Sequence, residues 1–379
     1  MSLMVFSSRL RLRTTMAVGA AGLILLADVS LGKLALTLLV RSGQPALESA
    51  RAIERRYRVP HPYYHHDLLP NYEGPARWGP IRYTVRTNSV GFRDGRVRQV
   101  HAEAGVPRIL LIGDSFTEGL GVEYDATVAG LLAATFAPDG IDVLNAAVAS
   151  YSPAVYWKKI EDLLERRRLR FDAVIVFIDI ADIYDEALAY RIDRTGRVVD
   201  APEMSWDVIG TWRLNSLTFR AVEKGVQTLY PHPPWIGCTH VEAERSLCRA
   251  AWTLSRVAMD RFGQDGLGRA DEHMTRLAAL LRAHRIPLTV AVYPWPHQIR
   301  WDDRSSVQVR HWSRWAEREE VRFIDLFVPF FAEVDLLGTT ETIGRNFLSG
   351  DVHWAASGHR LVAETVVRQF VRPGKAAGG

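Results

Sequence analysis

From residue 108 onward the chain switches repeatedly between two hydrophobic periods. Runs that are apolar almost throughout stand at "RILLI" (108–112), "IDVLN" (Ile141 to Asn145), "AVIVFI" (Ala173 to Ile178), "LTVAVY" (Leu288 to Tyr293) and, more briefly, "VRFID" (Val321 to Asp325). Unbroken apolar runs of this length, rather than alternating ones, mark strands buried on both faces. Between most of them the apolar residues recur at helical spacing, as in Asp125 to Phe136, "AVYWKKIEDLLERRRL" and "ADEHMTRLAALLRAHR". Strand and helix in alternation predict an α/β domain of three layers, α/β/α, around a parallel sheet.

Two stretches break the alternation. The interval from Tyr184 to about Arg269 carries Trp206, Trp212 and Trp235 but no strand order of its own, and is expected to be an insertion, a candidate lid, over the carboxyl edge of the sheet. Upstream, "SARAIERRYRVP" is expected to be a charged helix, and "HPYYHHDLLPNYEGPARWGP" a loop by its Pro, Gly and Asn content. The predicted organisation is an anchor over 1–44, a lead-in over 45–100 and a main domain over 101–372, with the insertion at about 184–269.

The amino terminus adds a location. Arg9, Arg11 and Arg13 precede "TTMAVGAAGLILLA", an uninterrupted stretch of 14 residues, after which Asp28 and Lys33 flank the approach to a second apolar run, "LALTLLV". This is the pattern of an export or anchoring signal. Fourteen residues fall short of the roughly 20 needed to span hydrocarbon, which fits a signal core or a span completed beyond Asp28. No Ala-x-Ala site follows, so an uncleaved anchor is favoured over a cleaved signal or a buried helix. The expected place is the cytoplasmic membrane, crossed once, with the main domain outside. The two cysteines, Cys238 and Cys248, would close a small disulfide loop in an oxidising compartment; two buried thiols are the alternative.

The remaining composition narrows the classes. Net charge is only +4 and Lys/Arg are scattered, so no nucleic-acid partner is expected. His61, His65, His66 and Asp67 form a tempting cluster, but only the weak His61/His65 pair has helical ligand spacing. A packing role is expected, with no metal.

Chemistry enters where the first aliphatic run ends in Gly113-Asp114-Ser115. Ser115 would stand at a strand's carboxyl end, where open α/β sheets bind ligands. Taken alone the tripeptide fits a helix cap as well as a nucleophile. Near the carboxyl terminus, "LSGDVHWAASGHRLVAE" places Asp351 and His353 just before a helix, with His353 able to take a serine proton and Asp351 to orient the ring. The bland alternative has Asp351 capping that helix and His353 packing beside Trp354.

Taken together these stretches resemble the SGNH (GDSL) hydrolases. "GDSFTEGLGV" resembles their first block, "VLNAAVASYSP" the second, "FIDIADIYDE" stands in place of the third and "GDVHWAASGH" resembles the fifth, while "TNSVGFRD" (Thr87 to Asp94) resembles the lead-in of membrane-anchored bacterial members. The likeness runs from about 85 to 370. It implies a flavodoxin-like sheet and ester hydrolysis or O-acyl transfer through a serine acyl-enzyme, with Ser115 as nucleophile, His353 as base, Asp351 as orienter, and no metal or organic cofactor.

Three departures accompany the resemblance. The second-block glycine, whose amide holds the oxyanion, is placed on Ala147. The third-block asparagine falls on Ala181, which has no donor, ahead of Asp182, which could donate only when protonated. Asp351 precedes His353 by two residues where three is commoner, a spacing that resembles some exopolysaccharide acetyltransferase-type members. In "VYPWPHQI", Trp295 could stack on a sugar or wall an acyl pocket, with ordinary loop packing as the favoured alternative, and His297 is a second, weaker candidate base. The expected substrate is an acylated glycan or related ester, with a multi-pass membrane acyltransferase as a further partner. A carbohydrate-binding or scaffolding protein that has lost its oxyanion site is the alternative.

Overall fold

The computed structural model describes residues 27–31, 53–201, 216, 218 and 248–370. Within it the chain divides into two compact units. The smaller comprises Met1–Ser49 and Ser205–Pro233, and in it Asp28 accepts hydrogen bonds from Ser216 and Thr218. The expected anchor over 1–44, the three insertion tryptophans and Cys238 lie outside the described residues, apart from Ala27 to Leu31 of the anchor. Among the described residues no helix is long and apolar enough to cross a membrane.

The larger unit is built on five parallel strands: β5 (Arg108–Ile112), β6 (Asp142–Asn145), β7 (Ala173–Ile178), β10 (Leu288–Val292) and β11 (Arg322–Asp325). Their spatial order is β11-β10-β7-β5-β6, the flavodoxin-like 2-1-3-4-5 arrangement. All five aliphatic runs thus form the strands expected of them, trimmed by at most a residue at an end. Every residue of β5, β7 and β10 is buried, which is why they read as unbroken apolar runs.

The helices follow from strand order. From β5 to β6 the chain steps one way along the sheet, and from β6 to β7 it steps back past β5. Right-handed crossovers therefore put the two intervening helices on opposite faces. The first connection carries α1 (Ser115–Glu118) and α2 (Val128–Phe136); the second carries α3 (Pro153–Glu161), which runs on into a wider turn through Arg166. On the α3 face lie α4 (Asp182–Leu188), α5 (Gln264–Ala283) and, beyond the short α6 (Pro296–Arg300), α7 (Val307–Arg318). Three more, α8 (Phe327–Leu337), α9 (Thr339–Asn346) and α10 (Ala356–Gln369), follow β11, and α10 packs on α2.

The expectation of a loop in the lead-in is overturned, and that of a helix before it holds only at Ile53 and Glu54 among the described residues, giving way to strand at Arg58. The segment forms two antiparallel hairpins, β1 (Arg58–His61) with β2 (His65–Leu68) and β3 (Glu73–Trp78) with β4 (Ile81–Arg86). Pro and Gly in β1 and β3 look like loop residues, but in two-stranded ribbons every strand is an edge, where a missing N–H need not break the ladder. The first hairpin is tied down by a buried ion pair, Lys159 to Asp67 at 2.7 Å, with Tyr64 donating to the same carboxylate at 2.5 Å. The insertion also opens with order of its own, a small hairpin of β8 (Tyr190–Ile192) and β9 (Val198–Asp200).

Candidate active site

Strand order reverses between β5 and β7, and the crevice outside their carboxyl ends is where an open α/β sheet takes its ligand. The chain leaves β5 through Gly113. A Cβ there would stand 3.0 Å from the Phe177 carbonyl and press into Thr117, so the close passage to β7 needs glycine. Asp114 then caps α1, accepting from the Phe116 amide at 3.0 Å. The capping role belongs to Asp114, and the hydroxyl of Ser115, the first residue of the helix, lies 3.1 Å from Asp114 Oδ2.

That hydroxyl lies 2.8 Å from His353 Nε2, and His353 Nδ1 lies 2.5 Å from Asp351 Oδ1. Asp351 also accepts the His353 amide at 3.0 Å, so the two-residue spacing closes on itself as a tight loop rather than reaching for a helix cap. The cap position of α10 is Ala355, without a side-chain bond. Burial acts to raise the Asp351 pKa, but the hydrogen bonds and charge of His353, helped by Trp78, outweigh it and hold the carboxyl at about 2.

Trp78 was invisible to sequence reasoning. At the end of β3, its indole Nε1 donates to Asp351 Oδ2 at 2.8 Å, and its ring meets His353 edge-on, centroids 4.8 Å apart. The lead-in hairpin thus supplies a third hydrogen bond to the carboxylate, on the oxygen that His353 leaves open.

Around Ser115 is a cavity of about 540 Å³ whose wall includes Trp78, His353, Ala149, Ser150, Ala181, Trp295 and two cations, Arg58 and Arg249. Arg58 is committed to Glu118, which also accepts the Ala149 amide at 2.6 Å and is fully buried. Arg249, held by Asp185, enters from the end of the insertion, beside the disulfide-bonded Cys248. No motif or periodicity marks it in the sequence.

Two expected positions change. Ala147 is fully buried, its amide donates to Asn145 Oδ1 at 3.2 Å, and it does not line the cavity. The turn reaches the cavity two and three residues later, and Ser150 takes the left-handed backbone, φ 67°, that favours glycine. Tyr190 donates to the Ser150 carbonyl at 2.7 Å and fixes that peptide. Asp182 likewise points away from the cavity, accepting from Tyr156 at 2.8 Å and from the Asp179 amide at 3.1 Å. Burial, with Asp114 and Asp179 nearby, pushes its pKa well up.

Asp114, Asp179 and Asp182 bring carboxylate oxygens within 4.8 Å of one another behind Ser115. The oxygens are already occupied: Tyr293 donates to Asp114 at 3.1 Å, Trp295 to Asp179 at 2.6 Å, and the Ala181 amide to Asp179 at 2.7 Å. Three buried carboxyls cannot all ionise at this distance. Burial first, then the charge of Asp179, pushes Asp114 up to about 7.

Trp295 therefore walls the cavity with its indole N–H turned inward. His297 stands apart from the serine: it is buried, Nε2 lies 3.2 Å from the Ala250 carbonyl, and burial lowers its pKa to about 3. His61, His65 and His66 do not gather round a common point; His61 stacks on Tyr64, and His65 and His66 bond each other, Asp200 and the Ala149 carbonyl.

No family model matches the chain, and no curated protein does. Among solved structures it is similar to the acetylxylan esterase Axe2 from Geobacillus stearothermophilus, at 15% identity over 70% of this chain and 95% of that one, TM-score 0.40. It is similar also to TesA, at 14% identity over 69% and 97%, TM-score 0.37. A third is the lipase/acylhydrolase from Enterococcus faecalis, at 13% identity over 69% and 94%, TM-score 0.38.

Proposed function

We propose that this chain is an SGNH-type serine esterase or O-acyltransferase acting on an acylated glycan. The observation that carries the reading is the relay Ser115–His353–Asp351, 2.8 Å and 2.5 Å, set in a cavity at the switch point of the sheet. In the first half-reaction Ser115 Oγ bonds to the acyl carbonyl carbon while His353 Nε2 takes its proton. The oxyanion is met by the Ser115 amide, which as the first N–H of a helix has no intrahelical partner, by the Ser150 amide, and by the Arg249 guanidinium in place of the side-chain donor that Ala181 lacks. Collapse breaks the bond to the leaving alcohol, which receives the proton from His353. In the second half, water or a sugar hydroxyl bonds to the acyl carbon while His353 takes its proton, and collapse breaks the bond to Ser115 Oγ, which receives that proton from His353.

Extracytoplasmic placement and a membrane tether belong to the same reading. Support comes from the arginines ahead of the apolar run and from the disulfide at Cys248, which suits an oxidising compartment. A multi-pass acyltransferase that delivers the acyl group remains part of the proposal.

The test is hydrolysis of p-nitrophenyl acetate by full-length protein and by Ser115→Ala, His353→Ala and Asp351→Asn. Activity in the wild type, lost in the first two and depressed in the third, supports the reading; equal activity in Ser115→Ala overturns it. Adding sugar acceptors separates transfer from hydrolysis, since a transferase yields acylated sugar at the expense of free acid. A well-folded but inert wild type that binds glycan favours the non-catalytic alternative.

A further inference from the structure

The serine cavity does not end at the serine. A second, larger cavity of about 850 Å³ adjoins it, and the two share Glu54, Arg58, His65 and His66 as wall. One trough therefore runs from Ser115 across the β1–β2 hairpin to the β8–β9 hairpin. A single cavity of roughly 300–1,000 Å³ takes one drug-sized ligand, so two in series exceed what an acyl group and one sugar ring would fill.

The far wall tells what the trough can hold. Leu, Ile, Met, Phe and Trp are absent from its described lining; Pro60, Pro62, Val59, Val198 and Val199 offer small flat apolar surface, between the imidazoles of His61, His65 and His66. That is no acyl-chain tunnel. Nor is it a polyanion track: two of its three arginines are already matched, and the third, the exposed Arg55, shares the wall with the acids Glu54 and Asp200. Arg58 pairs with Glu118 and Glu54, Arg197 with Asp193 at 2.9 Å, and Asp200 faces His65 at 3.0 Å. Burial lowers His61 to about 4 and His66 to about 3, so neither adds charge at neutral pH. Neutral rings, proline faces and paired polar groups suit a chain of uncharged sugar rings, which present apolar C–H faces and hydroxyl edges in alternation.

Resting on the function proposed above, we infer that this trough binds several consecutive units of a neutral polysaccharide, with the esterified unit at Ser115 and the neighbouring units lying over β1–β2 toward β9. The protein is then an enzyme of glycan polymers rather than of monosaccharide or lipid esters.

The experiment compares kcat/KM of full-length protein on p-nitrophenyl acetate, p-nitrophenyl decanoate, and chemically acetylated xylo-, cello- and malto-oligosaccharides of one to six units, beside acetylated oligomers of uronic acids. Val199→Trp fills the trough from β9, and Pro62→Trp fills it from the facing hairpin. Binding energy from remote units should raise kcat/KM by about tenfold or more from one unit to four on at least one neutral backbone. Either variant should abolish that rise while p-nitrophenyl acetate stays within about twofold of wild type. A flat length profile on every neutral backbone overturns the inference. So does a rise confined to uronic acid oligomers, or a preference for decanoate that the tryptophan variants remove. Failure to hydrolyse p-nitrophenyl acetate at all would instead count against the serine chemistry itself, so the two failures are distinct.

Discussion

Replacing Trp78 with Phe removes one hydrogen bond and almost nothing else. The phenyl ring keeps the apolar contact with His353, and the hairpin keeps an aromatic at the end of β3, but Asp351 Oδ2 loses the indole donor at 2.8 Å. A hydrogen bond to a charged group contributes about 1.5–3 kcal/mol. Asp351 retains two bonds at Oδ1, from His353 Nδ1 and the His353 amide, so the carboxylate stays charged and in place on one side while the other is released. About 1–2 kcal/mol of transition-state stabilisation should be lost as the imidazolium finds a less firmly oriented partner, which is roughly a 5- to 30-fold fall in kcat. KM should move little, because Phe keeps an aromatic ring at that point of the cavity wall. Stability gives a second readout. The Asp351 pKa is depressed to about 2, so its contribution is present above the ordinary carboxylate range and is lost as pH falls toward 2. Without Trp78 the folded-state pKa rises and the loss between about pH 4 and pH 2 shrinks. Steady-state hydrolysis of p-nitrophenyl acetate and acid unfolding of both proteins measure these effects. A kcat within about twofold of wild type, or a change confined to KM, would refute the assignment of Trp78 as the residue that positions Asp351.

Three further outcomes follow from the same geometry. Arg249→Ala should lower kcat by about 10²- to 10³-fold with the fold intact, as expected for a lost oxyanion donor, and an undiminished rate would return that role to the backbone amides alone. Asp114→Asn should be more stable than wild type by a margin that grows from pH 5 to pH 8: the native carboxyl holds its proton up to about 7 while the unfolded one ionises near 4, so wild-type stability falls as pH rises through that window, and thermal melts showing a pH-independent margin would contradict it. An alkaline phosphatase fused after residue 60 should be active in cells and Cys248 should resist alkylation without reductant; an inactive fusion with two free thiols would place the domain in the cytoplasm.

The sheet was legible because it is parallel and covered on both faces. Ile109 to Ile112, Ala173 to Ile178 and Leu288 to Val292 cannot be anything but apolar, and the Ser, Asp and His that the sheet brings together stand beside glycines or helix starts that show in one dimension. The lead-in hairpins hold no such run: Glu73–Trp78 contains Gly74 and Pro75, and its partner is found only through the turn at Gly79. What escaped the sequence is what depends on long-range meeting. Trp78 finds Asp351 across the whole length of the domain, and Arg249 arrives from an insertion with no pattern. The turn after β6 meets the cavity at Ser150 rather than at Ala147, and its left-handed position is taken by serine, a residue type that does not announce such geometry as glycine does.

The central claim is that Ser115 is a nucleophile activated by His353. Incubation with a serine-reactive fluorophosphonate, followed by intact-mass and peptide mapping, tests it without knowledge of the substrate. One adduct on Ser115, absent in Ser115→Ala and slowed strongly in His353→Ala, is the predicted result. A folded wild-type protein that takes no label, or labels equally in Ser115→Ala, would contradict it.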